Sequence, residues 1–182
     1  MTHPFLVGIA NDLATRGIAT LRYQFPYMER GATRPDAAAL CHATVRAAVL
    51  AARKLTPKLV LLAGGKSFGG RMTSQAQAAA PLPGVRGLVF FGFPLHAANK
   101  PSSARGEHLS QVRIPMLFLQ GTRDALADLT LMRRLVRRLG KFATLQVLSG
   151  ADHSFHVLVR SGRTDDDVRR EMLDSLAGWI SR

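Results

Sequence analysis

The chain has little cysteine, little acid and no long apolar run. One cysteine, Cys41, stands among 182 residues. That excludes an intramolecular disulfide framework, and a reducing cytoplasm is the expected setting. Cys41 lies in an alanine-rich helical pattern, which assigns it to a core rather than to chemistry. No apolar stretch approaches the roughly 18 residues that span a bilayer, so no membrane partner is expected. Met1-Thr2-His3-Pro4-Phe5 shows no cationic region leading into an apolar one, so no secretory leader is read there. His3, His42, His96 and His108 show no metal-ligand spacing, and neither a metal nor a cofactor is expected.

The shortage of acid leaves a formal net charge of +13, from 25 Lys and Arg against 12 Asp and Glu. Arginine far outnumbers lysine, a bias that a GC-rich genome produces without a polyanionic partner. One basic cluster is patterned. Arg133, Arg134, Arg137, Arg138 and Lys141 recur at helical spacing, with Leu131, Met132, Leu135, Val136 and Leu139 between them. This predicts a solvated basic stripe opposite an apolar face. Nucleic-acid binding is the alternative use of that stripe. Steeply salt-dependent DNA retention, lost on Arg-to-Glu changes there, would reveal it.

An apolar fraction of 47% and a charged fraction of 20% fit an ordinary globular protein. The length suits a single domain, 1–182. Periodicity predicts a helix over 4–16 and a strand from Ile18 to Phe25 that Pro26 ends. A helix capped by Asp36 runs to about Arg53, and a strand over Leu59–Ala63 follows. A helix covers Phe68 to Ala80 and a strand Val85 to Phe91. Residues 92–113 read as irregular. Then come a strand Met116–Gln120, a helix Ala127–Leu139, a strand Ala143–Leu148, and a helix from Asp165 to about Ile180. Such alternation implies an α/β fold, a doubly wound, mostly parallel sheet with helices on both faces.

Gly65-Lys66-Ser67-Phe68-Gly69 sits between a strand and a helix. Strand, glycine turn with a central serine, then helix is the arrangement of a nucleophile elbow. The turn strains the serine backbone and presents its hydroxyl at the end of the sheet, with Gly64, Gly65, Gly69 and Gly70 expected to give it room. The run Gly65-Lys66-Ser67 also ends like a phosphate-binding loop. That loop requires a glycine five residues before Gly65, where this chain has Val60.

In a doubly wound sheet, ligands collect at the carboxyl ends of the strands. Ser67, Asp124 and His153 each follow a predicted strand, in that chain order. The roles follow from chemistry. A serine hydroxyl needs a base, for which His153 is the candidate. Asp124 would orient and stabilise the imidazole. The backbone N–H of Phe68, the residue after the serine, would donate to an oxyanion. Asp128 and Asp152 are rival acids, and His156 is the rival base. Phe90, Phe91, Phe93, Leu95 and Phe155 are candidates for an apolar acyl pocket, with core packing an equal account of Phe90 and Phe91. The loop 92–113 is the only candidate cap, which favours an open site and small substrates.

The segments from Gly64 to Arg71, Gln120 to Asp124 and Gly150 to Phe155 resemble a bacterial group of α/β hydrolases. This group is related to the dienelactone hydrolases and to the KANL/Tex hydrolase-like proteins. His3-Pro4-Phe5, Arg22 to Tyr27 and Arg105-Gly106-Glu107-His108-Leu109 also resemble that group. The resemblance covers nearly the whole chain and implies a Ser67–Asp124–His153 triad without implying a substrate. Members carry an earlier strand and a His-Gly-Ala-Gly-like loop that supplies a second oxyanion donor. This sequence begins just past that loop, so an N-terminally truncated version of the fold is expected, weakly active or marginally stable. A longer polypeptide without gain in activity or melting temperature would refute that expectation. The functional expectation is a cytoplasmic serine hydrolase acting on a small ester or similar acyl substrate. The alternative is an impaired, hydrolase-like scaffold that binds partners.

Overall fold

The computed structural model describes residues 3–181. Met1, Thr2 and Arg182 lie outside the described residues, and the expected chain start lies there with them. The chain opens with α1, Pro4–Ala14, and a single turn α2, Pro26–Glu29. Proline begins both helices, where its missing N–H costs nothing. The long α3, Ala38–Leu55, precedes β1, Leu61–Lys66. Then follow α4, Phe68–Ala79, β2, Val85–Phe91, and a 3-10 turn, Ala104–Gln111. The remaining elements are β3, Met116–Gly121, α5, Leu129–Leu139, β4, Ala143–Leu148, and α6, Asp165–Ile180.

The four strands form one parallel sheet in sequence order, β1-β2-β3-β4. Parallel strands need covered faces, and both are covered. On one face α3, α4, α5 and the 3-10 turn bury Cys41, Val45, Met72, Ala76, Leu109 and Met132. On the other, α1 and α6 bury Ile9, Leu13, Val168, Met172 and Leu176 against Val89, Leu117 and Leu119. The α/β architecture with helices on both faces is therefore as the alternation predicts. Among the described residues, no helix is long and apolar enough to cross a membrane.

Three local expectations need correction. Ile18–Phe25 is rich in β-formers yet forms no strand. A strand exists only by pairing, and this stretch lies in none of the sheet's ladders. Tertiary context overrides its propensity. Asp36 does not cap α3, whose N-cap is Ala37. Its carboxylate instead accepts from the Tyr27 N–H at 2.8 Å and pairs with Arg30. Finally, β1 starts two residues later than expected and runs through Gly64-Gly65-Lys66. There the glycines bring it close to β2: a Cβ on Gly64 would stand 2.0 Å from the Val89 carbonyl oxygen.

Candidate active site

Ser67 occupies the turn between β1 and α4 with φ 50° and ψ −117°. This is a left-handed conformation that residues with side chains rarely adopt. Its N–H is fixed by the Phe91 carbonyl at 3.0 Å, and its carbonyl accepts from Arg71 N–H at 3.1 Å. The turn is that sharp because strand and helix touch at glycine. A Cβ on Gly65 would lie 3.0 Å from Gly70 N, and one on Gly70 would lie 2.7 Å from Gly65 O. Gly69 differs from expectation, since a Cβ there would meet nothing within 4 Å. Gly64, Gly65 and Gly70 make the space; Gly69 is not needed for it.

His153 follows β4, and its Nε2 lies 2.8 Å from Ser67 Oγ. Its Nδ1 lies 2.7 Å from Asp124 Oδ2. A carboxylate only accepts, so the ring proton sits on Nδ1 and Nε2 is free to take the serine proton. Asp124, just after β3, is only 6% exposed. Its carboxylate accepts from Leu126 N–H at 2.8 Å and from Gln120 Nε2 at 2.5 Å. Gly92 lets the imidazole in: a Cβ there would stand 3.4 Å from the His153 ring. The structure thus brings Ser67, His153 and Asp124 together in one hydrogen-bonded chain. The Phe68 N–H opens α4 beside Ser67, at a position without an intrahelical acceptor.

The rivals are elsewhere. Asp128 caps α5 by accepting from Leu131 N–H at 2.8 Å. Asp152 folds its own turn, accepting from the N–H groups of Ser154 and His156. His156 is exposed and pairs with Asp165, whose hydrogen bond raises the imidazole pKa. A second serine–histidine contact exists, Ser74 Oγ to His108 Nε2 at 2.8 Å. Ser74 is fully buried, and its hydroxyl also donates to the Arg71 carbonyl at 2.9 Å. That pair clasps α4 to the 3-10 turn and is closed to a substrate.

The expected acyl pocket is also corrected. Phe90, Phe93 and Leu95 are fully buried core, and Phe91 and Phe155 are nearly so, because both faces of the sheet need filling. Two surface clefts of about 220 and 270 Å³ lie away from Ser67. They are lined by α6 and β4 residues such as Trp179 and Gln146, and by α5 residues such as Arg134 and Leu135.

Two supporting residues escape sequence reasoning. Gln120 is fully buried and bridges Asp124 to the Phe93 N–H, its Oε1 accepting at 3.0 Å. Lys66 donates from Nζ to the His153 carbonyl at 2.7 Å. It lies 5.1 and 5.3 Å from the centroids of the Phe5 and Phe155 rings. Burial pushes its pKa down, and the charges of Asp124 and Asp152 oppose that shift. Position within the elbow motif was a signal for Lys66, and position at the head of the Gln120–Asp124 segment was one for Gln120.

A model of the alpha/beta hydrolase domain matches residues 1–181. Among solved structures, an alpha-beta serine hydrolase homologue from Coxiella burnetii is similar with TM-score 0.74 and 21% identity. The match covers 97% of this chain and 77% of that one. A serine hydrolase without lid from Xanthomonas campestris gives TM-score 0.72 and 25% identity, over 98% and 75% of the two chains. The esterase domain of a Rhodothermus marinus protein gives 0.67 and 18%, over 96% and 78%.

Proposed function

From the premise that this chain belongs to the alpha/beta hydrolase family, we propose that it is a serine hydrolase cleaving an ester or similar acyl bond through an acyl-enzyme on Ser67. The observation that carries this reading is the chain of two short hydrogen bonds from Ser67 through His153 to Asp124, with the serine held at φ 50°. Ser67 Oγ attacks the substrate carbonyl carbon while its proton passes to His153 Nε2. Asp124 stabilises the resulting imidazolium and keeps the ring oriented. The tetrahedral oxyanion accepts from the Phe68 N–H. The carbon–oxygen bond to the leaving group then breaks, and His153 returns the proton to the departing oxygen. Water deprotonated by His153 attacks the acyl carbon, the bond to Ser67 Oγ breaks, and Oγ regains the proton.

Ser67 is half-buried and the nearby segment 92–113 is short, which favours an open site and small substrates. That the similar Xanthomonas protein is a serine hydrolase without lid, and the similar Rhodothermus domain an esterase, supports an open esterase here. The decisive test is intact-mass analysis after treatment with a fluorophosphonate. One adduct per chain is expected, absent in Ser67→Ala and strongly reduced in His153→Ala. A folded sample that takes no label would instead favour the scaffold reading. For that reading, the outer edge of β1, which pairs with no strand among the described residues, is the favouring observation, since an open edge is a template for pairing.

A further inference from the structure

In β3, the run Met116-Leu117-Phe118-Leu119-Gln120-Gly121, one side chain is polar, that of Gln120. It is 0% exposed. A methionine would fill the same space with no polar group to satisfy, and a buried amide is costly unless its two ends are bonded. Both ends are. The Phe93 N–H can only donate, so the atom facing it at 3.0 Å is the amide oxygen. The amide nitrogen then faces the other partner, Asp124 Oδ2, at 2.5 Å. Shape alone does not orient an amide; here the backbone does. Phe93 is a firm anchor for that bond. Its ring centroid lies 5.3 Å from that of Phe90 and 5.8 Å from that of Phe118, and the preceding Gly92 N–H is held by the Leu119 carbonyl at 2.9 Å.

The oxygen that Gln120 reaches is the one that His153 uses. Oδ2 also takes the hydrogen bond from His153 Nδ1, at 2.7 Å, while Oδ1 accepts from the Leu126 N–H at 2.8 Å. Three N–H donors converge on one carboxylate, and together they set its rotation. The Asp124 side chain has no exposure to solvent, so water cannot stand in for a missing donor. Leu126 holds the far oxygen, and His153 is the ring to be positioned. That leaves Gln120 as the donor that aims Oδ2 at the ring.

Resting on the hydrolase reading, we propose that Gln120 is a positioning residue for the reaction: pinned by the Phe93 N–H, its amide donates to Asp124 Oδ2 and holds that oxygen in line with His153 Nδ1. It touches neither substrate nor serine and keeps its own protons throughout. Its effect arises when His153 takes the Ser67 proton, because the imidazolium is stabilised best by an oxygen that has not turned away.

The test separates a donor from a filler of space. Gln120→Met is of similar length and donates nothing. Gln120→Glu puts an oxygen where the amide nitrogen stands. Two carboxyl groups that close hold one proton between them, and an O–H···O⁻ bond of about 2.5–2.7 Å fits the space. The carboxyl variant therefore regains a donor, until alkaline pH removes the shared proton.

The readout is the second-order rate of fluorophosphonate labelling at Ser67, which requires no particular substrate, with 4-nitrophenyl acetate hydrolysis beside it. At pH 7 we expect Gln120→Met to label about 10- to 100-fold more slowly than the unsubstituted protein, with kcat for the ester lowered and KM little changed. Gln120→Glu should label several-fold faster than Gln120→Met at pH 7 and lose that advantage above about pH 8–9. Space-filling alone predicts the opposite order, since an apolar side chain of similar volume is tolerated in a core and an added buried carboxyl is not. Equal rates in Gln120→Met and the unsubstituted protein, or a Gln120→Glu rate at or below that of Gln120→Met, overturn the proposal. If thermal melts show either variant to be unfolded, NMR of the unsubstituted protein decides. The Gln120 side-chain amide should exchange slowly with solvent and shift with the same midpoint as the His153 ring. An amide that exchanges freely, or that ignores His153, overturns the proposal as well. Failure of the folded, unsubstituted protein to label is a different result: it removes the hydrolase reading, and the positioning role falls with it.

Discussion

Ser67 is held in a backbone conformation that its side chain resists, at a cost on the order of 1–3 kcal/mol. Glycine relieves that strain but gains freedom in the unfolded chain. Ser67→Gly is therefore expected to stabilise the fold by about 1 kcal/mol, a melting-temperature rise of about 2–4 °C, while abolishing fluorophosphonate labelling. A thermal melt that falls instead would show the strain to be absent. Lys66 acts through another residue: it ties the strand bearing Ser67 to the loop bearing His153. Lys66→Met should keep the apolar stem against Phe5 and Phe155 but free the His153 carbonyl. We expect kcat to fall about 10-fold with KM little changed, since a mispositioned base affects the transition state more than binding. Lys66→Arg should recover part of the loss. Equal effects on kcat and KM, or none, would rule out a positioning role.

At the scale of elements, the Ser74–His108 clasp between α4 and the 3-10 turn carries a pH dependence. Burial, with Arg71 and His42 nearby, pushes the His108 pKa down to about 4. The folded state therefore prefers the neutral ring, while the unfolded chain takes a proton below its ordinary value near 6.5. Stability from this group is complete above about pH 6.5 and is lost as pH falls toward 4. Because the ring is partly open to solvent, we expect about 1–2 kcal/mol of this dependence rather than the full shift. Melting temperatures at pH 7 and pH 4.5 should differ less in His108→Gln than in the unsubstituted protein. An identical drop would remove His108 from the account.

The elements also show how far the sequence could be read. The strands β2 and β3 were legible because parallel strands buried on both faces are nearly continuous apolar runs. The elbow was legible because Gly65 and Gly70 are dictated by the contact of β1 with α4. Ile18–Phe25 was misread because pairing is a property of two segments, and composition reports only one. Asp36 was misread because its carboxylate reaches nine residues back to Tyr27, a contact that local capping rules do not contain. Among the site residues, the spacing around Ser67, Asp124 and His153 pointed to strand ends, and those ends converge. The roles of Gln120 and Lys66 depend on loops meeting in space, which spacing does not encode.

For the molecule as a whole, the outer edge of β1 is the expected starting point of association in solution. Residues of β1 are only half-buried along its length, and Val60, just before it, is 75% exposed. An accessible parallel edge flanked by exposed apolar residues invites pairing between chains. Val60→Lys is expected to slow aggregation on prolonged warming, with little change in melting temperature because the side chain buries almost nothing. Light scattering that rises at the same rate in both proteins would show that association begins elsewhere.

The covering of one face of the sheet by α1 and α6 has a consequence in time. The two helices come from opposite ends of the sequence and are joined by the ion pairs Arg16–Asp174 and Asp12–Arg169. During synthesis, α1 emerges before all four strands of that sheet, with none of them yet there to cover. The four strands and the helices of the opposite face follow, each able to pack on its predecessor. Val89, Leu117 and Leu119 then wait with one side bare until α6 leaves the ribosome. The nascent chain is therefore expected to pass through a stage with one face covered and the other bare, which ends when the sixteen residues of α6 pack down.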